Sequence, residues 1–170
     1  MTSKAAPARS DRQISNPPGR PNEARAAALR AANINPRTGL ATDYLNHFNE
    51  AIMLLEMIPD MPECVEDFLG WQPLSYCEHF TASHFKGRDL AIQAYDAADA
   101  AIRAGFDNVT TAMTSILTAV GTAMREAKQD KTRAILAQQA TGWVKPLVAQ
   151  AGGIINGDIE ADVETIMKSH

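Results

Sequence analysis

Apolar residues recur at steps of three and four along most of this chain, and no segment alternates apolar and polar residues with a period of two. The first spacing is typical of helices with a buried face, whereas alternation is typical of half-buried strands. The pattern therefore predicts an all-α protein, an irregular bundle of about five to seven helices. It is strongest between residues 39 and 58, where the recurring residues are Leu40, Tyr44, Phe48, Ala51, Leu55 and Ile58.

In the segment from 39 to 58 apolar side chains also point in nearly every direction, because residues 52–55 are consecutive Ile, Met, Leu and Leu. Such a helix is expected at the centre of a bundle or at an interface. Pro59 ends it. The residues from Asp60 to Glu63 then read as a capping box that opens a short second helix, which Gly70 ends.

The remaining helices are predicted from the same spacing. One runs from Ser75 towards Gly105, and another begins at Asp107 as its N-cap. If the latter ran unbroken to residue 141 it would be about 52 Å long, more than the roughly 40 Å width of a compact domain of this size. It must therefore turn near residues 129–131, or protrude and pair with another chain. A break or kink is predicted at residue 142, and further breaks are predicted at 152–153 and at 156–157, before a last helix from 158 to 167.

The first 20 residues differ from the rest of the chain. They carry Lys4, Arg9, Arg12 and Arg20 against one acidic residue, with three prolines and almost nothing apolar. This composition predicts a disordered basic tail over residues 1–20, followed by a single helical domain over 21–170. Because the whole chain has a formal net charge of −4, contact with nucleic acid or another anionic surface is expected only through this tail.

Cysteine usage and hydropathy indicate the setting. Cys64 and Cys77 are too few for a disulfide framework, and no signal-peptide pattern precedes them. The longest apolar run is far short of the roughly 20 residues that span a bilayer. We therefore expect a cytoplasmic protein without a transmembrane segment. Both thiols are expected to be small buried groups, although the position of Cys64 near a helix N-terminus is one that lowers a thiol pKa.

Asp43, His47 and Glu50 form the candidate metal site. Steps of four and three residues place them on one face of the helix from 39 to 58. Two carboxylates and an imidazole, joined by His79 or preferably His84 from the next long helix, would make a mixed site suited to zinc, iron or manganese. The preferred interpretation is a solvated polar strip with His84 as a core histidine, in which case no cofactor is expected.

A cysteine, a glutamate and two histidines also fall between residues 77 and 84. Cys77 and His84 would share a helix face but lie about 10.5 Å apart along its axis, too far to share one ion. Glu78 is explained by the S-x-x-E pattern that begins at Ser75, which is typical of a helix N-terminus. The Glu-x-x-His pairs of di-iron bundles are missing from the sequence, which excludes that class.

No nucleophile motif or glycine-rich phosphate loop is present, so the sequence assigns no catalytic residues. We expect a small helical protein that binds other protein chains and forms a homodimer, because its most apolar helix carries apolar side chains in nearly every direction. The alternative is a metal- or small-ligand-binding bundle with enzymatic activity, centred on Asp43, His47, Glu50 and His84.

Overall fold

The structure is a computed structural model, and it describes residues 20–158 of the 170-residue chain. Within that range the chain forms seven α-helices and no strand, with one isolated β-bridge between Ile34 and Ala41. The predicted all-α bundle is confirmed. In chain order the elements are α1 (Arg20–Ala31), a 3₁₀ turn (Thr42–Tyr44), α2 (Leu45–Met57), α3 (Cys64–Leu69), α4 (Tyr76–Ala82), α5 (Arg88–Ala97), α6 (Ala100–Glu126) and α7 (Asp130–Asn156).

Two predicted segments fall outside the described range. The predicted tail covers residues 1–20, of which only Arg20 is described, as the first residue of α1. The predicted helix from 158 to 167 likewise lies outside, apart from Asp158. None of the helices between residues 20 and 158 is long and apolar enough to cross a membrane.

The predicted central helix is confirmed as α2, with the 3₁₀ turn leading into it. Phe48 and Leu55 have no solvent exposure. The C-terminal part of α7 lies against the beginning of α2, since an added Cβ at Gly152 would be 3.9 Å from Leu45 Cδ1. Most of the apolar surface of α2 is therefore covered by other helices of the same chain, although Met53 stays 54% exposed.

Helices α6 and α7 form an antiparallel hairpin, which confirms the predicted turn near residues 129–131. Arg133 fixes the turn, because its Nε donates to the carbonyls of Met124 and Ala127 at 3.0 and 2.9 Å. The predicted N-cap at Asp107 is wrong. Asp99 caps α6 instead, accepting hydrogen bonds from two backbone N–H groups of the first turn, and Asp107 lies about two turns further in.

The single helix predicted from Ser75 towards Gly105 is also wrong, because the chain breaks twice. Ser83 and Ala98 both adopt extended backbone conformations, which end α4 and α5. Between them the loop packs directly on the end of α1, where a Cβ at Gly87 would come within 2.8 Å of Ala32 Cβ. Apolar spacing continues through the breaks because each short helix faces the same core, so periodicity alone did not reveal them.

The predicted capping box from Asp60 to Glu63 is wrong, whereas the predicted end of that helix at Gly70 is confirmed. Asp60 and Met61 belong to the turn that follows α2, since both backbone N–H groups bond to the Met57 carbonyl. Asp60 is therefore part of a helix end and does not cap the next helix. Glu63 occupies the N-cap of α3 without a side-chain hydrogen bond.

Helix α7 runs through positions predicted to break it. Gly142, Gly152 and Gly153 all lie inside it, as does Pro146, and it ends only at Gly157, whose φ is +83°. Gly142 is exposed, and nothing lies within 4 Å of an added Cβ. The carbonyl that loses its hydrogen bond to the proline is therefore on a side that water reaches, which reduces the cost of the proline.

Candidate functional site

Asp43 and His79 form the contact at the centre of the candidate site. Asp43 lies in the 3₁₀ turn before α2, and its Oδ2 is 3.0 Å from His79 Nε2 on α4. Asn46, one turn along, approaches the other carboxylate oxygen at 3.4 Å. Of the two histidines considered as partners for Asp43, the one beside it is therefore His79.

His47 is held by groups that the sequence did not predict. Its Nε2 accepts a hydrogen bond from the backbone N–H of Leu74 at 3.0 Å, and its ring stacks on Trp71 with centroids 4.5 Å apart. Trp71 Nε1 in turn donates to the backbone carbonyl of His47 at 2.9 Å. Burial, with a smaller contribution from His79, lowers the pKa of His47 to about 4, so the ring is neutral at pH 7. This histidine thus anchors the loop between α3 and α4.

Glu50 and His84 do not join this cluster. Glu50 is exposed on α2, and His84 is exposed on the loop after α4. Among residues 20–158, no three His, Cys, Asp or Glu side chains are grouped so that they could hold a metal ion. A metal site at Asp43, His47, Glu50 and His84 stays a prediction, and at His47 the metal would have to displace the Leu74 N–H.

Three tyrosines tie the same region together. The Tyr44 hydroxyl donates to the Leu74 carbonyl at 2.7 Å, and the Tyr76 hydroxyl accepts from the Ala41 N–H at 3.0 Å. The Tyr95 hydroxyl donates to the Asp107 carboxylate at 2.7 Å. Burial is the main cause that raises the pKa of each phenol. These phenols therefore stay protonated. Tyr44 and Tyr76 fix backbone positions, and Tyr95 holds the Asp107 side chain.

The two thiols are not activated. Cys64 is buried and Cys77 is half-buried, and both are free. Burial, followed by neighbouring carboxylates, raises the pKa of each thiol. For Cys64 this effect outweighs the helix N-terminus, which was expected to act in the opposite direction. Neither cysteine has the low pKa of a catalytic nucleophile.

Two open clefts flank the cluster. The larger, about 670 Å³, lies where the ends of α1 and α7 meet the beginning of α2, and Asp43 is on its wall. The smaller, about 430 Å³, is lined mainly by Tyr, Ser and Thr side chains beside Asp107. Sequence spacing missed both clefts, because their walls come from elements far apart in the chain.

Comparisons with known protein families, sequences and structures find no match for this chain. No protein-family model matches the chain, and no curated protein sequence or solved structure matches it either. Any function is therefore proposed from the residues and their geometry alone.

Proposed function

We propose that this protein acts by binding protein chains, and that it pairs with a second copy of itself through the outward face of α7. The face is a stripe of six exposed residues that lie within an arc of about 80° on an ideal helix. We call it the α7 stripe; its members are Thr132, Ile135, Gln139, Trp143, Pro146 and Gln150.

The observation that carries the proposal is the exposure of two large apolar side chains on an uncharged surface. Trp143 is 53% exposed and Ile135 is 46% exposed. Between residues 134 and 157 the only charged residue is Lys145, and its Nζ pairs with Glu56 on α2. Lys131, one turn before Ile135, is exposed at the edge of this face. An exposed tryptophan and an exposed isoleucine on one helix face, with no charged residue between them in the sequence, are typical of an interface.

Charge distribution favours a second copy as the occupant. Residues 39–101 carry eleven Asp or Glu and two Lys or Arg, so the surfaces formed by this segment repel the same surfaces of another copy. The α7 stripe carries no charge, and two copies can meet there in a two-fold arrangement without like-charge repulsion. Helix length gives no reason for pairing, because the chain turns before residue 130.

The test places a carboxylate in the stripe. Sedimentation equilibrium of the full chain at high micromolar concentration should give twice the monomer mass of 18.4 kDa. Trp143→Glu and Ile135→Glu should each shift the mass to that of the monomer, because pairing would bury two unpaired charges. Circular dichroism should show unchanged helix content in both variants.

Met61→Glu is the matched control, because Met61 is an exposed apolar residue, 43% exposed, on the loop after α2. It should leave the mass unchanged. A monomeric wild-type protein would contradict self-association, and equal dissociation by Met61→Glu would show that the α7 stripe is not the contact.

A further inference from the structure

The larger of the two clefts beside Asp43 and Tyr44 is lined by most of the asparagines of the chain. Five of the eight asparagines line it. The five are Asn33, Asn35, Asn46, Asn49 and Asn156; the other three are Asn16, Asn22 and Asn108. They come from the end of α1, the loop after it, the first half of α2 and the last residue of α7, so helix periodicity does not explain why they converge.

Local backbone geometry explains two of the five. Asn33 has a φ of +61° and ends α1 in a Schellman motif, in which the Ile34 N–H bonds to the Leu29 carbonyl. Asn35 accepts the Arg37 N–H through its side chain. Among the described residues, Asn49 and Asn156 make no side-chain hydrogen bond, and Asn46 makes only its long contact with Asp43. Three amides therefore have hydrogen-bonding groups left for a ligand.

The wall that carries Asn33 and Asn35 is rigid. Thr38, only 3% exposed, donates from its hydroxyl to the Ile155 carbonyl at 2.7 Å and so ties the loop to α7. Gly39, with φ +74°, lets the loop approach α5, where an added Cβ would be 2.8 Å from the Ala94 carbonyl oxygen. A cleft fixed before binding loses less entropy when a ligand enters.

The charge and shape of the cleft limit what it can bind. Among residues 20–158, Arg30 and Asp43 are the only charged residues on its wall, one of each sign, so this wall favours neither an anion nor a cation. Each asparagine amide offers two donors and an acceptor, which complements hydroxyl groups that both donate and accept. Phe85 and Leu45 add apolar surface. A volume of about 670 Å³ is ordinary for a small-ligand site.

We propose that this amide-lined cleft binds a neutral polyhydroxylated ligand, a monosaccharide or a disaccharide. The amides hydrogen-bond its hydroxyl groups, and the apolar C–H face of a sugar ring lies against Phe85. The site is separate from the α7 stripe and does not depend on self-association.

The test follows the full-length protein by ¹H–¹⁵N NMR during titration with glucose, maltose and diacetylchitobiose. At least one of these sugars should shift the side-chain amide signals of Asn46 and Asn49 saturably in the millimolar range. Asn46→Ala and Asn49→Ala should each weaken binding at least about tenfold. Asn108→Ala is the matched control, an exposed asparagine on α6 outside the cleft, and should leave the affinity unchanged.

Inorganic phosphate and spermidine serve as charged probes and should leave these amide signals in place. The proposal is overturned if none of the three sugars shifts the signals, or if phosphate or spermidine shifts them and the sugars do not. It is also overturned if Asn49→Ala binds sugar as tightly as the wild-type protein. Because all three variant sites are exposed helical positions where alanine is favourable, loss of fold does not confuse the result.

Discussion

Ser75 and Glu78 form a helix cap that could be predicted from the sequence alone. The Ser75 hydroxyl accepts the Glu78 N–H at 3.1 Å, and the Glu78 carboxylate accepts the Ser75 N–H at 2.8 Å. The predicted capping box at α4 is confirmed, because all its groups lie within four consecutive residues. Glu78, the glutamate of the 77–84 stretch, therefore caps the N-terminus of α4.

Replacing Ser75 by alanine should lower the free energy of unfolding by about 0.5–2 kcal/mol, the usual contribution of an N-cap. Urea denaturation of both proteins measures it. Ser115→Ala is the control, because Ser115 is exposed in the middle of α6 and caps nothing. Equal stability of Ser75→Ala and the wild-type protein would mean that the capping box contributes nothing.

His47 links stability to pH with a defined sign. In the folded protein its pKa is about 4, against 6.5 for an unperturbed histidine. Between these values the unfolded state binds a proton that the folded state does not, so stability is full above pH 6.5 and falls as the pH drops towards 4. The loss attributable to this residue should be about 2–3 kcal/mol.

His47→Gln isolates that effect, since glutamine also offers an acceptor to the Leu74 N–H and does not titrate. Unfolding free energies of both proteins should be measured across this pH range. The wild-type curve should fall more steeply than that of the variant. Parallel curves would show that His47 keeps an ordinary pKa.

The candidate site could be predicted only in part, and the reason lies in which contacts are local. Asp43 and His47 were identified because they share a helix face. Their partners, His79 and the Leu74 backbone, lie 36 and 27 positions away. Their positions depend on how the loop before α4 folds back on α2, which no short-range pattern encodes.

At the scale of helices, Gly70 and Gly157 mark helix ends, whereas Gly142, Gly152 and Gly153 lie inside a helix. Each costs a helix about 1 kcal/mol, but Ala151, Ile154 and Ile155 around the Gly152–Gly153 pair are buried, and their packing outweighs that cost. The break after α4 ends at Gly87, whereas the break after α5 contains neither glycine nor proline. Tertiary packing decided both cases, whereas the terminations at Pro59 and Gly70 are local and were predicted correctly.

Replacing Gly142 measures directly what a glycine inside a helix costs in stability. Gly142→Ala should raise the free energy of unfolding by about 0.5–1 kcal/mol, because the site is helical and exposed and an added Cβ meets nothing within 4 Å. Thermal denaturation should show a higher midpoint. Gly39→Ala is the opposite control and should destabilise, since Gly39 has a φ of +74°. Destabilisation by Gly142→Ala would instead mean that the helix needs a flexible residue before Pro146.

For the molecule as a whole, all seven described helices contribute buried residues to one hydrophobic core. Its buried residues run from Leu29 on α1 to Ile155 on α7. The loop after α1 is tied to α7 by the hydrogen bond from the Thr38 hydroxyl to the Ile155 carbonyl, across 117 positions. The walls of the amide-lined cleft also come from segments that are far apart in the sequence. The sequence could therefore indicate the bundle but not this cleft.

The single core implies that residues 20–158 unfold as one unit. Helices α6 and α7 contribute 54 of the 102 α-helical residues in this range, 27 each against 12, 13, 6, 7 and 10 in the others, so far-ultraviolet circular dichroism mainly reports on them. Trp71 lies outside both and stacks on His47. In Trp143→Phe, where Trp71 is the only tryptophan, its fluorescence and the dichroism should give the same unfolding midpoint.

Calorimetry of the same variant should agree, with an unfolding enthalpy of about 100 kcal/mol near 60 °C for a domain of this size and equal calorimetric and van't Hoff values. The physical reason is that α7 contacts both α6 and α2, so the hairpin cannot separate without exposing the core. If the fluorescence of Trp71 changed at a lower temperature than the dichroism, α1 to α5 would be a weaker unit that unfolds before the α6–α7 hairpin, and the single-core description would be wrong.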